Sequence, residues 1–290
     1  MIKQSELIIN PDGSIFHLHL KPGQIADTVI LVGDQGRVDM IAGFFDDIEH
    51  SVQNREFKTV TGWYKDRHLS VVSTGIGTDN IDIVVNELDA LVNIDLNTRK
   101  MKKDITCLNL IRIGTSGSLQ ENIPVNSFVI SQKSIGFDGL LNFYEGRNII
   151  ADLEFEQCLL YHTQWDELLP KPYVVDCSEQ LCEILSSKET VSGVNISAPG
   201  FYGPQGRVLR IPLADPNLNE KIESFDFLGQ KITNYEMESS AIYGLSKLLG
   251  HEAITICLII ANRVTKDASD DYHPKMKNMV KYVLDKLADE

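Results

Sequence analysis

The chain has 290 residues, 43% of them hydrophobic and 23% charged, with a formal net charge of −14. That length can bury a large core without disulfide or metal staples, and it allows one large α/β domain or two ordinary ones. The strong negative charge argues against a polyanionic partner such as nucleic acid, so any small anion must be held by a local positive pocket.

In chain order, the first strand signal is the apolar run Thr28–Val32, which feeds the turn Gly33-Asp34-Gln35-Gly36-Arg37. A second run, 69–73, feeds Thr74-Gly75-Ile76-Gly77-Thr78. After Asp79, the residues Ile81, Val84, Val85, Leu88 and Val92 recur at helical spacing. The basic piece 98–103 reads as a surface loop or helix end. Further strand runs are 107–113, 127–131 and 253–261. Continuous apolar runs of this kind fit strands buried on both faces. Between the last two, Met237, Ala241, Leu245 and Leu248 form a helical stripe that Gly250 stops. A last helix opens at Pro274, with Met276, Met279, Val280, Val283, Leu284 and Leu287 on one face. Alternating strands and helices predict an α/β fold, and no repeat or linker divides it, so 1–290 is read as one domain.

The five cysteines are an odd set without repeated short spacing, which fits neither a disulfide framework nor a zinc signature. Cys107 and Cys257 sit in apolar runs and are expected in the core. Residues 1–10 carry no signal-peptide pattern, and no apolar run is long enough to span a membrane. A cytoplasmic setting without a membrane partner is therefore expected.

Three glycine-containing segments follow strand signals: 33–37, 74–78 and Arg112-Ile113-Gly114-Thr115-Ser116-Gly117. Backbone N–H groups in such turns bind anions. Arg37 and Arg112 could grip phosphate oxygens through their forked donors, and Thr115 could add a hydroxyl. None is a P-loop, and Gly75-Ile76-Gly77-Thr78-Asp79-Asn80 lacks the third glycine of a dinucleotide fingerprint. Near residue 200, Phe201-Tyr202-Gly203-Pro204-Gln205-Gly206-Arg207 offers an aromatic face, an amide edge and a guanidinium, which suits a nucleobase. Asn234-Tyr235-Glu236-Met237-Glu238-Ser239-Ser240 puts two carboxylates beside a thioether at the start of a helix, which suits a sugar. On a helix Glu236 and Glu238 would not share a face. Glu238 is therefore the expected hydroxyl acceptor and Glu236 a helper or structural group.

Taken in order, these blocks resemble the uridine phosphorylases of the nucleoside phosphorylase-I family. Phe16-His17-Leu18, Asn54-Arg55-Glu56-Phe57 and Asn262-Arg263 add to the likeness, which runs along nearly the whole chain. The resemblance implies a single α/β domain with a central mixed, partly barrel-like sheet flanked by helices. It implies phosphate binding by Gly33, Arg37, Arg112 and Thr115, with Arg55 supplied by a neighbouring subunit. Ribose would be held by Met237, Glu238 and Arg112, assisted by Glu236, with His17 reaching over from the neighbour. The base would meet Phe201, Gln205, Arg207 and, through solvent, Arg263. It further implies phosphorolysis of uridine to uracil and ribose 1-phosphate, catalysed by Arg207, Gln205 and Arg112. Phosphate would be a co-substrate, with no metal or cofactor, and the sites would be shared in a homodimer or dimer-based oligomer. Three other functions compete: a purine-specific relative, a nucleosidase that uses water, and a non-catalytic nucleoside-binding protein. Against the first, 260–263 reads Ile-Ala-Asn-Arg, without the aspartate that purine enzymes place near the base.

Overall fold

The computed structural model describes residues 1–289. Along the chain run β1 Thr28–Val32, α1 Gln35–Ala42, β2 Asp47–Asn54, β3 Phe57–Tyr64, β4 Arg67–Ser73, α2 Thr78–Asn93 and a short hairpin of β5 Ile94–Asp95 with β6 Lys100–Met101. Then follow β7 Asn109–Ser118, β8 Phe128–Gly136, α3 Arg147–Ile150, α4 Leu153–Thr163, β9 Tyr173–Asp176, α5 Glu179–Leu185 and β10 Thr190–Ser197. The last third holds α6 Leu218–Ser224, β11 Asp226–Phe227, β12 Gln230–Glu236, α7 Ser239–Leu249, β13 Glu252–Asn262 and α8 His273–Ala288.

Eleven strands make one mixed sheet in the order β11-β12-β10-β8-β13-β7-β1-β4-β3-β2, with β9 alongside β8. Strand β12 also pairs antiparallel with β7, through Asn234 with Ser118 and Tyr235 with Gly117. That extra pairing bends β12, β10, β8, β13 and β7 into a partial ring. The continuous apolar runs explain the centre: Val29 to Val32 of β1 are fully buried, as are Ile254, Ile256 and Leu258 of β13. Helix α2 lays Ile81, Val84, Val85 and Leu88 against this core, and α8 does the same with all six residues of its expected stripe.

Chain punctuation sets where the strands deliver their ends. Asp34 caps α1 by accepting the Arg37 amide at 2.8 Å, so β1 turns directly into a helix start. Gly250 ends α7 in the left-handed region with φ 81°. The segments after β1, β4, β10 and β12 gather at their carboxyl ends with the last residues of β13, the place where open α/β sheets leave a crevice.

Three expectations need correction. Residues 112–117 form no turn: they continue β7, Arg112 through Ser116 pair in register with β13, and Gly117 pairs with Ala261 after a one-residue shift. β13 alone flanks 113–116, between the end of the β1 pairing at Arg112 and the start of the β12 pairing at Gly117, and it carries the strand past Gly114. Met237 is not on the α7 stripe, since β12 ends at Glu236 and α7 begins only at Ser239. Cys107 is exposed, whereas Cys257 is buried as expected. The strand begins two residues after Cys107, which leaves that thiol in the approach rather than in the core.

Candidate active site

At those strand ends lies a cavity of about 490 Å³. Its floor is lined by Gly33, Asp34, Arg37, Arg112 and Thr115, its middle by Glu236, Met237 and Glu238, and its far end by Phe201, Gln205 and Arg207. Residues that were more than two hundred positions apart therefore share one wall. A larger cavity of about 600 Å³ lies elsewhere, but its Lys133 is already bound to Asp152 at 2.8 Å and Asp176 at 2.5 Å.

Arg112 is the hub. Its Nε donates to Glu236 Oε2 at 3.1 Å and its Nη2 to Glu238 Oε2. Glu236 ends a strand and Glu238 follows in the linker, so the two carboxylates converge on one guanidinium. The helical argument against a shared face fails because neither residue lies within a helix. Burial alone would lower the Arg112 pKa, but Glu238 and Glu236 outweigh it and hold the guanidinium above its usual range. Gly114 makes room for the group: a Cβ there would stand 2.7 Å from Arg112 Nη1. Arg37 donates to the Ile113 carbonyl at 3.3 Å and lies 3.4 Å from Asp34. Burial, with nearby Arg112, lowers its pKa against the pull of Asp34, so it gains from an added anion.

Glu236 is saturated. Its oxygens accept from Ser197 Oγ at 2.5 Å, Arg112 Nε, Glu238 N at 3.0 Å and Ser239 N at 3.0 and 3.1 Å. Glu238 has fewer partners: Gly77 N at 2.9 Å, Met237 N at 3.3 Å and Arg112. Burial raises the Glu238 carboxyl above the ordinary glutamate range, although Arg112 pulls the other way.

At the far end, Arg207 Nη1 donates to the Phe201 carbonyl and to Gln205 Oε1, both at 2.6 Å, and the guanidinium lies 3.8 Å over the Phe201 ring. The bond fixes the Gln205 amide with its oxygen toward Arg207, which leaves its Nε2–H groups as donors. Gly206 holds φ 70°, and a Cβ there would meet Asn219 at 2.2 Å, so glycine is required between Gln205 and Arg207. Burial lowers the pKa of both Arg207 and Arg263, and Arg263 lowers that of Arg207 further. A partly desolvated guanidinium at that end of the cavity favours a ligand group that gains negative charge.

The cavity does not gather every expected residue. Arg263 sits behind its wall, 5.7 Å over the Tyr235 ring, and is not among the lining residues. His17 and Arg55 lie outside it, together. His17 Nδ1 is 2.6 Å from Glu87 Oε1, Asn54 donates to the His17 carbonyl at 2.8 Å, and the Arg55 guanidinium stands 5.5 Å over Phe16. Gln35, next to the cavity residue Asp34, donates to the Arg55 carbonyl at 2.8 Å. Sequence reasoning gave no role to Tyr235, which lines the cavity, or to the Gly77 amide on Glu238. Nothing in the sequence flagged the first, since the last five residues of β12 are all buried without alternation; the second depends on a contact 161 residues away in sequence.

The family profile of the phosphorylase superfamily matches residues 27–288. A crystal structure of a Trypanosoma brucei nucleoside phosphorylase with uridine phosphorylase activity superposes with a TM-score of 0.89 at 31% identity, covering 98% of this chain and 100% of that one. A uridine phosphorylase of Thermococcus kodakarensis is 29% identical over 264 residues, 88% of this chain and 80% of that protein. A DeoD-type purine nucleoside phosphorylase of Listeria welshimeri is 29% identical over 244 residues, 84% of this chain and 85% of that protein.

Proposed function

The chain belongs to the phosphorylase superfamily, and we propose that its reaction is the reversible phosphorolysis of uridine to uracil and ribose 1-phosphate. One observation carries the reading: a single cavity joins a pair of guanidiniums, a buried carboxylate pair and the Phe201–Gln205–Arg207 cluster. Phosphate would sit against the Gly33 backbone, Arg37, Arg112 and Thr115. Ribose hydroxyls would bond to Glu238, whose lone pairs are less used than those of Glu236, over Met237. Uracil would stack at Phe201 and accept from Gln205 Nε2 and Arg207, with Arg263 acting through solvent.

In the chemical step a phosphate oxygen bonds to the ribosyl anomeric carbon as the carbon–nitrogen bond breaks. The bonding pair leaves with the base, so uracil gains negative charge while the sugar becomes cationic. Arg207 and Gln205 face the first charge, and the phosphate dianion faces the second. No side-chain nucleophile and no cofactor are called for; phosphate is the co-substrate.

We also propose a homodimer, or an oligomer of dimers, with shared sites. At the phosphate end the guanidiniums of Arg37 and Arg112 face the carboxylates of Asp34, Glu236 and Glu238. A dianion there needs a further cation, and Arg55 and His17 lie together on a face beside that end. A cytoplasmic place in pyrimidine salvage fits five free cysteines. One domain over 1–290 fits one eleven-stranded sheet whose strands come from residues 28 to 262.

The purine alternative is disfavoured by Asn262. Its Nδ2 donates to the Gln120 and Ile123 carbonyls at 2.9 and 3.0 Å, and its Oδ1 accepts the Val264 and Thr265 amides. It is spent on structure and cannot protonate a base. The deciding assay is uracil release from uridine, with inosine as comparison, in buffers with and without phosphate. Phosphate-dependent uracil release is expected. Equal release without phosphate means a nucleosidase, and a preference for inosine means a purine enzyme.

A further inference from the structure

Behind the cavity wall, Ser197 ends β10 fully buried. Its Oγ accepts the Ser240 amide at 2.9 Å and lies 2.5 Å from Glu236 Oε1. An amide nitrogen only donates, so the single hydroxyl proton goes to the carboxylate. Ser240 is held in turn, with its Oγ 3.1 Å from Asp138 Oδ2 and 3.0 Å from the Tyr173 hydroxyl. A buried chain of hydrogen bonds thus runs from Asp138 through Ser240 and Ser197 to Glu236, and ends on Arg112.

We propose that Ser197 is a positioning residue for Arg112: its hydroxyl sets the plane of the Glu236 carboxylate, and that plane aims the guanidinium that meets phosphate and ribose. The terminal torsion of a glutamate is broad, so its oxygens go where their partners hold them. Among the described residues, Glu236 Oε1 has one other donor, the Ser239 amide at 3.1 Å, which it shares with Oε2 at 3.0 Å. Without the Ser197 proton Oε1 keeps only the shared Ser239 bond, so the carboxylate can tilt about Oε2, and the Arg112 Nε bond shifts with it. Ser197 itself is not among the cavity residues, so its effect on the ligand passes through Glu236.

The inference rests on the phosphorolysis reading for the role of Arg112, and its test separates the two. Ser197→Ala is compared with Ser134→Ala, which removes an equally buried hydroxyl 3.4 Å from Ser197 that has no bond to Glu236. The phosphate KM and kcat are measured with uridine, and inorganic phosphate binding is measured by calorimetry without nucleoside. Ser197→Ala should raise the phosphate KM and Kd about tenfold, the scale of one lost hydrogen bond to a charged group. Its kcat should change less, and Ser134→Ala should leave all three near wild type. If the alanine variant does not fold, Ser197→Cys, a weaker donor of similar shape, should give a smaller rise of the same kind. Unchanged phosphate affinity, or equal losses in the Ser197 and Ser134 variants, overturns the proposal. A wild type that binds phosphate but releases no uracil overturns the uridine reading instead, and the binding data still judge Ser197.

Discussion

Glu238 carries most of the electrostatic tension in the site. It is buried, shares Arg112 with Glu236, and has its carboxyl pushed above the ordinary glutamate range by that burial. A raised carboxyl pKa means that the proton is taken up at a higher pH than on an exposed glutamate. If Glu238 accepts ribose hydroxyls, acceptor strength is lost as pH falls through that raised value. Uridine affinity, measured without phosphate so that phosphate ionisation plays no part, should therefore weaken on acidification before the ordinary glutamate range is reached. The Glu238→Gln variant should bind weakly at every pH, with no such limb. A wild-type affinity that stays flat down through the glutamate range removes Glu238 from the ribose site.

At the scale of elements, the end of β8 and the start of α7 are joined by Tyr173 of β9. This ring is fully buried, and its hydroxyl bonds to Asp138 at 2.9 Å and to Ser240 at 3.0 Å. It passes over Gly136, where an added Cβ would stand 2.2 Å from a ring carbon. Glycine is required there by close approach, not by a special backbone angle. Gly136→Ala should cost about 1–3 kcal/mol by overpacking, read as a lower denaturant midpoint at unchanged slope. It should also weaken phosphate binding, because the displaced ring holds the residues that order Ser197. An unchanged midpoint would mean that β9 slides aside without cost.

For the whole molecule, the feature that matters is the face that carries His17 and Arg55 outside the cavity. In the proposed dimer each protomer donates these residues to its partner and keeps Arg207 for itself. Arg55→Ala and Arg207→Ala then damage different halves of a site. In a dimer with one lesion per chain, one site carries both and the other carries none. Two inactive variants, refolded together, should regain activity up to about half of wild type per mixed dimer, since a two-fold interface repeats each contact reciprocally. Mixed dimers, isolated through a different affinity tag on each variant, that remain inactive would place Arg55 in its own chain's chemistry.

The apolar runs marked β1 to the residue, and the stripes of α2 and α8 were legible because local periodicity and burial agree there. Residue types also marked many of the side chains that line the cavity, although His17, Arg55 and Arg263 lie outside its lining. Other features depended on the three-dimensional path of the chain. Whether 112–117 turned or ran on was decided by β13, a partner more than a hundred residues later that pairs alongside it. The convergence of Glu236 and Glu238 on Arg112 was hidden because β12 ends between residues that a helical reading had kept apart. Ser197 left no trace in the sequence, because one serine proton matters only when a distant amide has claimed the oxygen and a carboxylate lies within reach. Local sequence determines which elements form and which chemistry is available; only tertiary contact, which pairs groups regardless of their separation along the chain, decides which groups are spent on structure and which remain for a ligand.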